Sequence, residues 1–126
     1  MFFPILMVIA GSTAGGLGRW MIQQYVSQGV SSGFPWSTWS VNIAGSFLMG
    51  LFFILIDRSR TCQTEWQLLL MTGFCGGFTT FSAFSLENIR MLQNGLHLQA
   101  LSYILSSVTL GLVAVWLGLK TGEMIK

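Results

Sequence analysis

The stretch MTGFCGGFTTFSAFSLE, from Met71 to Glu87, decides the fold because it is apolar enough to enter a membrane yet unsuited to one unbroken helix. Its three glycines each lower helix propensity by roughly 1 kcal/mol relative to alanine, and we therefore predict a break near Gly76 and Gly77. The hydroxyl side chains that follow are costly to bury without partners. Irregular backbone at membrane depth is tolerated where it is buried in protein or lines a water-filled path. A conduction or binding site is therefore expected here first.

The composition of the whole chain is that of a small membrane protein. Of its 126 residues, 52 % are hydrophobic and 8 % are charged, whereas about 25 % charged is usual for a soluble domain. The net charge is +2 and the Lys and Arg residues are scattered, so no nucleic-acid-binding face is indicated. The two cysteines, Cys62 and Cys75, lack metal-ligand spacing. The N-terminal MFFPILM has no basic region typical of a signal peptide.

Four apolar segments are each long enough to cross a bilayer, which requires about 20 residues. We place them at residues 3–26, 37–56, 66–90 and 98–119, within a single domain of residues 1–126. The predicted fold is an all-α membrane protein with four transmembrane helices, the third broken near its middle. Half-helix ends that meet inside a membrane are a recurrent way to hold ions, and exposed carbonyls there suit a hard cation such as Na⁺.

The distribution of charge specifies the orientation of the chain only weakly. Two basic residues, Arg19 and Arg90, lie toward one side of the membrane. The side that holds the N-terminus receives the others: Arg58, Arg60, Lys120 and Lys126. Insertion of the same chain in both orientations is therefore permitted. Glycine-rich faces on the first two spans favour close self-association.

Polar and aromatic residues inside the spans have both a structural and a functional interpretation. Arg19, beside Trp20, is either an arginine that snorkels to the interface or a cation at a pore mouth that attracts anions. Asn42 either makes an interhelical hydrogen bond or lines a pore and donates to an anion. Phe81 and Phe84 either fill space or offer the positive edges of their rings to a small anion.

The remaining residues argue against several other functions. With one His, no paired carboxylates and no nucleophile–base arrangement, the sequence indicates no enzyme. Proton-coupled export usually requires an acidic residue within a span. The first span lacks one, unlike that of small multidrug exporters of similar length, and Glu87 lies at the end of the third. A passive anion path is left, and the alternative is a structural or regulatory membrane protein whose polar residues only hold helices together.

GFCGGFTTFSAFSLE, from Gly73 to Glu87, resembles the third-helix signature of the Fluc/CrcB family of fluoride channels. Further resemblances lie in GGLGRW, VNIAGSFLMG and SYILSSVTLG, so the likeness runs along essentially the whole chain. It implies an antiparallel, dual-topology homodimer in the bacterial inner membrane, with two fluoride pores and a structural Na⁺ at its centre. It also implies export of fluoride that has entered the cell as HF.

The resemblance further implies roles for individual residues. The fluoride pore would be lined by Phe81, Phe84, Asn42, Tyr103, Ser82, Ser85 and Ser107. Arg19 would stand at the pore mouth, and the backbone carbonyls of Gly76 and Thr79 would hold the Na⁺. Ala83 occupies a position where many relatives have a hydroxyl, which makes the hydroxyl track one donor shorter here.

Overall fold

A computed structural model describes residues 2–27, 33–59 and 62–125 as four passes of helix. The first two passes are α1 (Phe2–Ser27) and α2 (Trp36–Arg58). The third comprises α3 (Gln63–Trp66), a π-helical segment (Gln67–Cys75), α4 (Gly76–Phe78) and α5 (Phe81–Gln93), and the fourth is α6 (His97–Met124). All four passes are long and apolar enough to cross a membrane. The predicted all-α, multi-pass membrane fold is thereby confirmed.

The third pass is broken near its middle, as predicted, but not at its glycines. Gly76 and Gly77 are helical, and the backbone becomes extended at Thr79 (φ −84°, ψ 160°) and Thr80 (φ −151°, ψ 117°). The break therefore lies two to three residues beyond Gly76 and Gly77, the glycines near which it was expected. Thr80 begins the second half-helix, because its Oγ1 accepts a hydrogen bond from the Ala83 N–H at 3.2 Å and so acts as an N-cap.

The glycines of the third pass allow a close approach to α1. A Cβ at Gly73 would lie 2.9 Å from Cα of Gly11, and a Cβ at Gly77 would lie 2.7 Å from the Ser12 carbonyl oxygen. Small residues at such crossings let helix backbones approach one another in membranes. The π-helical turns lie in this contact region, and nothing in the sequence analysis predicted them.

The second and fourth passes approach one another in the same way. A Cβ at Gly50 would lie 3.0 Å from the Leu119 nitrogen, and a Cβ at Gly118 would lie 2.8 Å from the Leu51 nitrogen. Gly11 on α1 and Gly50 on α2 thus make contacts inside the chain. These two glycines serve contacts within the chain, and the self-association of the glycine-rich faces stays a prediction.

The far ends of α2 and α6 are joined by Arg58. Its Nη1 donates to the carbonyl oxygens of Gly122, Glu123 and Ile125 at 3.1, 3.0 and 3.1 Å. A cation at a helix C-terminus is favourable because the last carbonyls lack helical donors. Arg58 therefore fixes the end of α6 to α2. Arg60 and Lys126, two of the basic residues predicted on the same side of the membrane, lie outside the described residues.

Candidate functional site

Asn42 on α2 satisfies the broken backbone of the third pass. Its Oδ1 accepts a hydrogen bond from the Thr80 N–H at 2.8 Å, and its Nδ2 donates to the Thr80 carbonyl at 3.1 Å. In an uninterrupted helix the Thr80 N–H would donate to the Gly76 carbonyl instead. The structural interpretation of Asn42, an interhelical hydrogen bond, is therefore observed. An amide nitrogen carries two hydrogens. The second hydrogen of Asn42 Nδ2 is therefore available to donate to an anion, as the functional interpretation requires.

Arg19 on α1 reaches the same break. Its Nη1 lies 3.4 Å from the Thr79 carbonyl oxygen, to which it donates, and its side chain is half-buried. The Thr79 N–H and Oγ1 both donate to the Cys75 carbonyl, at 3.0 and 2.9 Å. The guanidinium is therefore held against the third pass rather than extended along α1 to the interface. Its neighbour Trp20 is 56 % exposed.

Two clefts meet at Asn42 and Phe81. One, of about 250 Å³, is lined by residues that include Gly45, Ser46, Thr79 and Thr80, together with Asn42 and Phe81. The other, of about 170 Å³, is lined by Asn42, Phe81, Phe84, Ser107 and Val108. Four side chains that the resemblance assigns to a pore thus surround one cleft, although they come from three different passes.

The second cleft contains a hydroxyl without a partner. Within the described residues, Ser107 Oγ is buried and makes no hydrogen bond. Such groups are rare in native structures because an unpaired buried donor is costly. The rings beside it differ in exposure, since Phe81 is 79 % exposed and Phe84 is partly buried. Their centroids lie 5.8 Å apart.

The other two serines of the expected hydroxyl track bond locally on α5. Ser85 Oγ donates to the Phe81 carbonyl at 2.9 Å, and Ser82 Oγ lies 3.3 Å from Thr80 Oγ1. Neither serine lines the two clefts at Asn42. Among the predicted serines, the structure therefore places Ser107 with the phenylalanines and leaves Ser82 and Ser85 on the helix surface.

Two residues that were not predicted as part of the site, Glu87 and Thr38, are joined to Tyr103 by a chain of hydrogen bonds. The Tyr103 side chain is fully buried, and its hydroxyl donates to Glu87 Oε2 at 2.8 Å. The other carboxylate oxygen, Oε1, accepts from the Thr38 hydroxyl at 2.7 Å. Helical spacing in the sequence could have identified both residues, because Glu87 lies three residues after Phe84 and Thr38 lies four residues before Asn42. Each pair therefore shares a helix face.

The fold and these clefts define a class of protein: a small four-pass membrane protein with neutral donors and aromatic rings gathered where a helix breaks. The family model described as CrcB-like protein, Camphor Resistance (CrcB), matches residues 6–119. The chain therefore belongs to the CrcB family.

Curated relatives agree along nearly the whole chain. A protein of Bradyrhizobium diazoefficiens named fluoride-specific ion channel FluC 1 is 44 % identical, over 88 % of this chain and 78 % of its own. Proteins named fluoride-specific ion channel FluC from Flavobacterium psychrophilum and Acidobacterium capsulatum are 42 % and 37 % identical. They match over 91 % and 95 % of this chain, and over 93 % and 96 % of their own. These relatives are named as channels, and the prediction that the chain is not an enzyme is confirmed.

Proposed function

We propose that this chain is a fluoride-selective passive channel. The names of its relatives support the ion, and one structural observation supports the site: a buried, unpaired Ser107 hydroxyl in a cleft with Asn42, Phe81 and Phe84. A hydroxyl, a spare amide N–H and positive ring edges attract an anion without the full charge of a buried arginine. Conduction requires binding that is firm enough to admit the ion and weak enough to release it.

The same donors account for selectivity between halides. Fluoride loses a great deal of hydration energy on entering a path, so closely spaced donors are needed to replace its water. Chloride is larger, and a narrow path rejects it. Because the potential is negative inside the cell, a passive path drives the anion outward with about 2.3 kcal/mol per 100 mV. Fluoride that entered as HF is thereby exported.

The working unit in this proposal is an antiparallel homodimer with two pores in the bacterial inner membrane. Its support is the resemblance of the sequence together with the position of Phe81. That ring is 79 % exposed on the single chain, and the cleft it lines reaches the surface of α5 and α6. A second copy laid against this face would close the path with protein, whereas lipid would leave an anion beside hydrocarbon.

The backbone at the break fits the Na⁺ that the resemblance implies. The Gly76 carbonyl loses its ordinary helical donor, because the Thr80 N–H bonds to Asn42. The Thr79 carbonyl lies in extended backbone with one long contact to Arg19. Carbonyl oxygens are suitable ligands for hard cations, and two from each of two copies would surround an ion between them. The ion would supply positive charge that holds the two copies together.

Fluoride efflux from proteoliposomes tests the proposed function. The protein is reconstituted with Na⁺ on both sides and K⁺ inside, and valinomycin is added to release the charge built up by anion movement. We expect rapid efflux at a fluoride electrode while chloride remains trapped. Absence of efflux from a folded dimer would contradict the proposal and favour the structural alternative, in which Asn42 only holds the break together.

A further inference from the structure

A third cleft, of about 240 Å³, lies where the third pass ends. Its lining includes Pro35, Glu87, Arg90 and Asn94. It shares no lining residue with the two clefts at Asn42. The chain turns beside it at Gly95, which has a φ of 74°, and then enters α6. The cleft therefore lies at one end of the four-helix bundle, where α2 and α6 begin and α5 ends.

Glu87 lines this cleft and, through its hydrogen bond to Tyr103, lies next to the side chains of a deeper one. Its carboxylate is held between the Thr38 and Tyr103 hydroxyls at 2.7 and 2.8 Å. The Tyr103 ring lies 4.9 Å, centroid to centroid, from Phe84, which lines the cleft of the unpaired Ser107 hydroxyl. Tyr103 and Glu87 therefore separate the two clefts, and an anion that moves from Phe84 toward the end of α5 would pass these side chains to reach this one.

The charges lining this third cleft are of opposite sign. A carboxylate at the entrance opposes an anion, but Arg90 follows Glu87 by three residues on α5 and shares its helix face. Arg90 is exposed and lines the same cleft. Among the described residues the ion pair found is Lys120–Glu123, at 2.8 Å, so Arg90 is not neutralised by a carboxylate there. Within the part of the chain that the structure describes, its guanidinium bonds to no acceptor, and its donors can face the cleft and offset the charge of Glu87.

We propose that this cleft is a second mouth of the anion path and that Arg90 collects small monovalent anions there. The inference rests on the proposed channel function and adds an entrance that neither the motif nor the relatives' names assign. A fixed cation at a narrow mouth raises the local concentration of anions and increases their rate of entry, and the effect falls steeply with ionic strength. Arg90 thus acts on the capture of the ion rather than on its passage between the phenylalanines.

The test compares Arg90→Gln with Arg90→Lys and with the control Lys120→Gln, which removes one charge at the opposite end of α6. Initial fluoride efflux is measured at several fluoride concentrations in about 10 mM and about 1 M N-methylglucamine gluconate, at constant Na⁺. The screening length is about 30 Å in the first buffer and about 3 Å in the second. We expect Arg90→Gln to raise the half-saturating fluoride concentration severalfold at low salt only. Arg90→Lys and the control should behave as wild type.

Three results would overturn the inference. Wild-type efflux by Arg90→Gln at low salt excludes a collecting role, and an equal loss at both salt concentrations indicates a structural role instead. Asn94→Lys, made in the Arg90→Gln chain, returns a charge to the same cleft, so failure to restore low-salt efflux in a folded dimer also contradicts it. If the wild type itself conducts no fluoride, the proposed function fails together with the inference. If the wild type conducts and only these variants disagree, the inference alone fails.

Discussion

Phe81 and Phe84 lie one helical turn apart and border the same cleft, yet the single chain covers them differently. Phe84 is packed against the buried Tyr103 at 4.9 Å, whereas Phe81 is 79 % exposed. If both ring edges contact the ion, replacing either ring with Ile removes the positive edge but keeps an apolar side chain. We expect Phe81→Ile and Phe84→Ile to slow fluoride efflux at least tenfold, about 1.4 kcal/mol in the barrier, with the protein still folded. Phe53→Ile, another exposed phenylalanine, is the control, and wild-type efflux in both test variants would exclude the aromatic mechanism.

The unpaired hydroxyl of Ser107 allows function to be separated from stability. A buried hydroxyl without a partner costs roughly 1–3 kcal/mol, and Ser107 Oγ has none within the described residues. Ser107→Ala should therefore leave the melting temperature in detergent unchanged or raised, while fluoride efflux falls. Ser46→Ala is the comparison for a hydroxyl that has a partner, because Ser46 Oγ donates to the Asn42 carbonyl at 2.7 Å. A lower melting temperature with unchanged efflux for Ser107→Ala would mean that this hydroxyl serves only the fold.

The sequence predicted which residues belong to the site better than it predicted their hydrogen-bond partners. The resemblance selected Phe81, Phe84, Asn42 and Ser107 among the pore residues, and the structure gathers these four around one cleft. The bonds from Thr38 and Tyr103 to Glu87 depend on the relative rotation of three helices. A one-dimensional pattern fixes which residues share a face of one helix, but not which faces meet.

At the scale of elements, the break of the third pass shows why glycine is an ambiguous signal. A glycine inside a membrane helix either weakens the helix or permits a close helix crossing. Gly77 does the second, whereas Thr79 and Thr80 make the break. The capping hydroxyl of Thr80 was readable in the sequence, but the nearness of Ser12 to Gly77 was not, because it requires the register of α1 against α4.

Two neighbouring glycines provide a matched test of this account. A Cβ at Gly77 would lie 2.7 Å from the Ser12 carbonyl oxygen, whereas a Cβ at Gly76 would lie 3.9 Å from the Met71 carbonyl oxygen. Gly77→Ala should therefore destabilise the protein by about 1–3 kcal/mol through overpacking, and Gly76→Ala should cost less, because its nearest neighbour within the chain lies at an ordinary contact distance. Melting temperature and the yield of monodisperse protein measure both. Equal destabilisation by the two substitutions would mean that the close crossing with α1 does not explain why residue 77 is a glycine.

At the scale of the whole molecule, the proposed antiparallel dimer predicts how two copies of one chain face the membrane. The two cysteines make this measurable, because Cys62 is exposed beyond the end of α2 and Cys75 is fully buried. A large, membrane-impermeant maleimide added to intact spheroplasts should tag Cys62 on one chain of every dimer. The mass of the purified dimer should then show a single tag, and two tags should appear only after permeabilisation. Cys62→Ser should remove all labelling, since burial protects Cys75. Dimers that carry either no tag or two tags before permeabilisation would be parallel, and the two copies would then bring the same ends of their paths to the same side of the membrane.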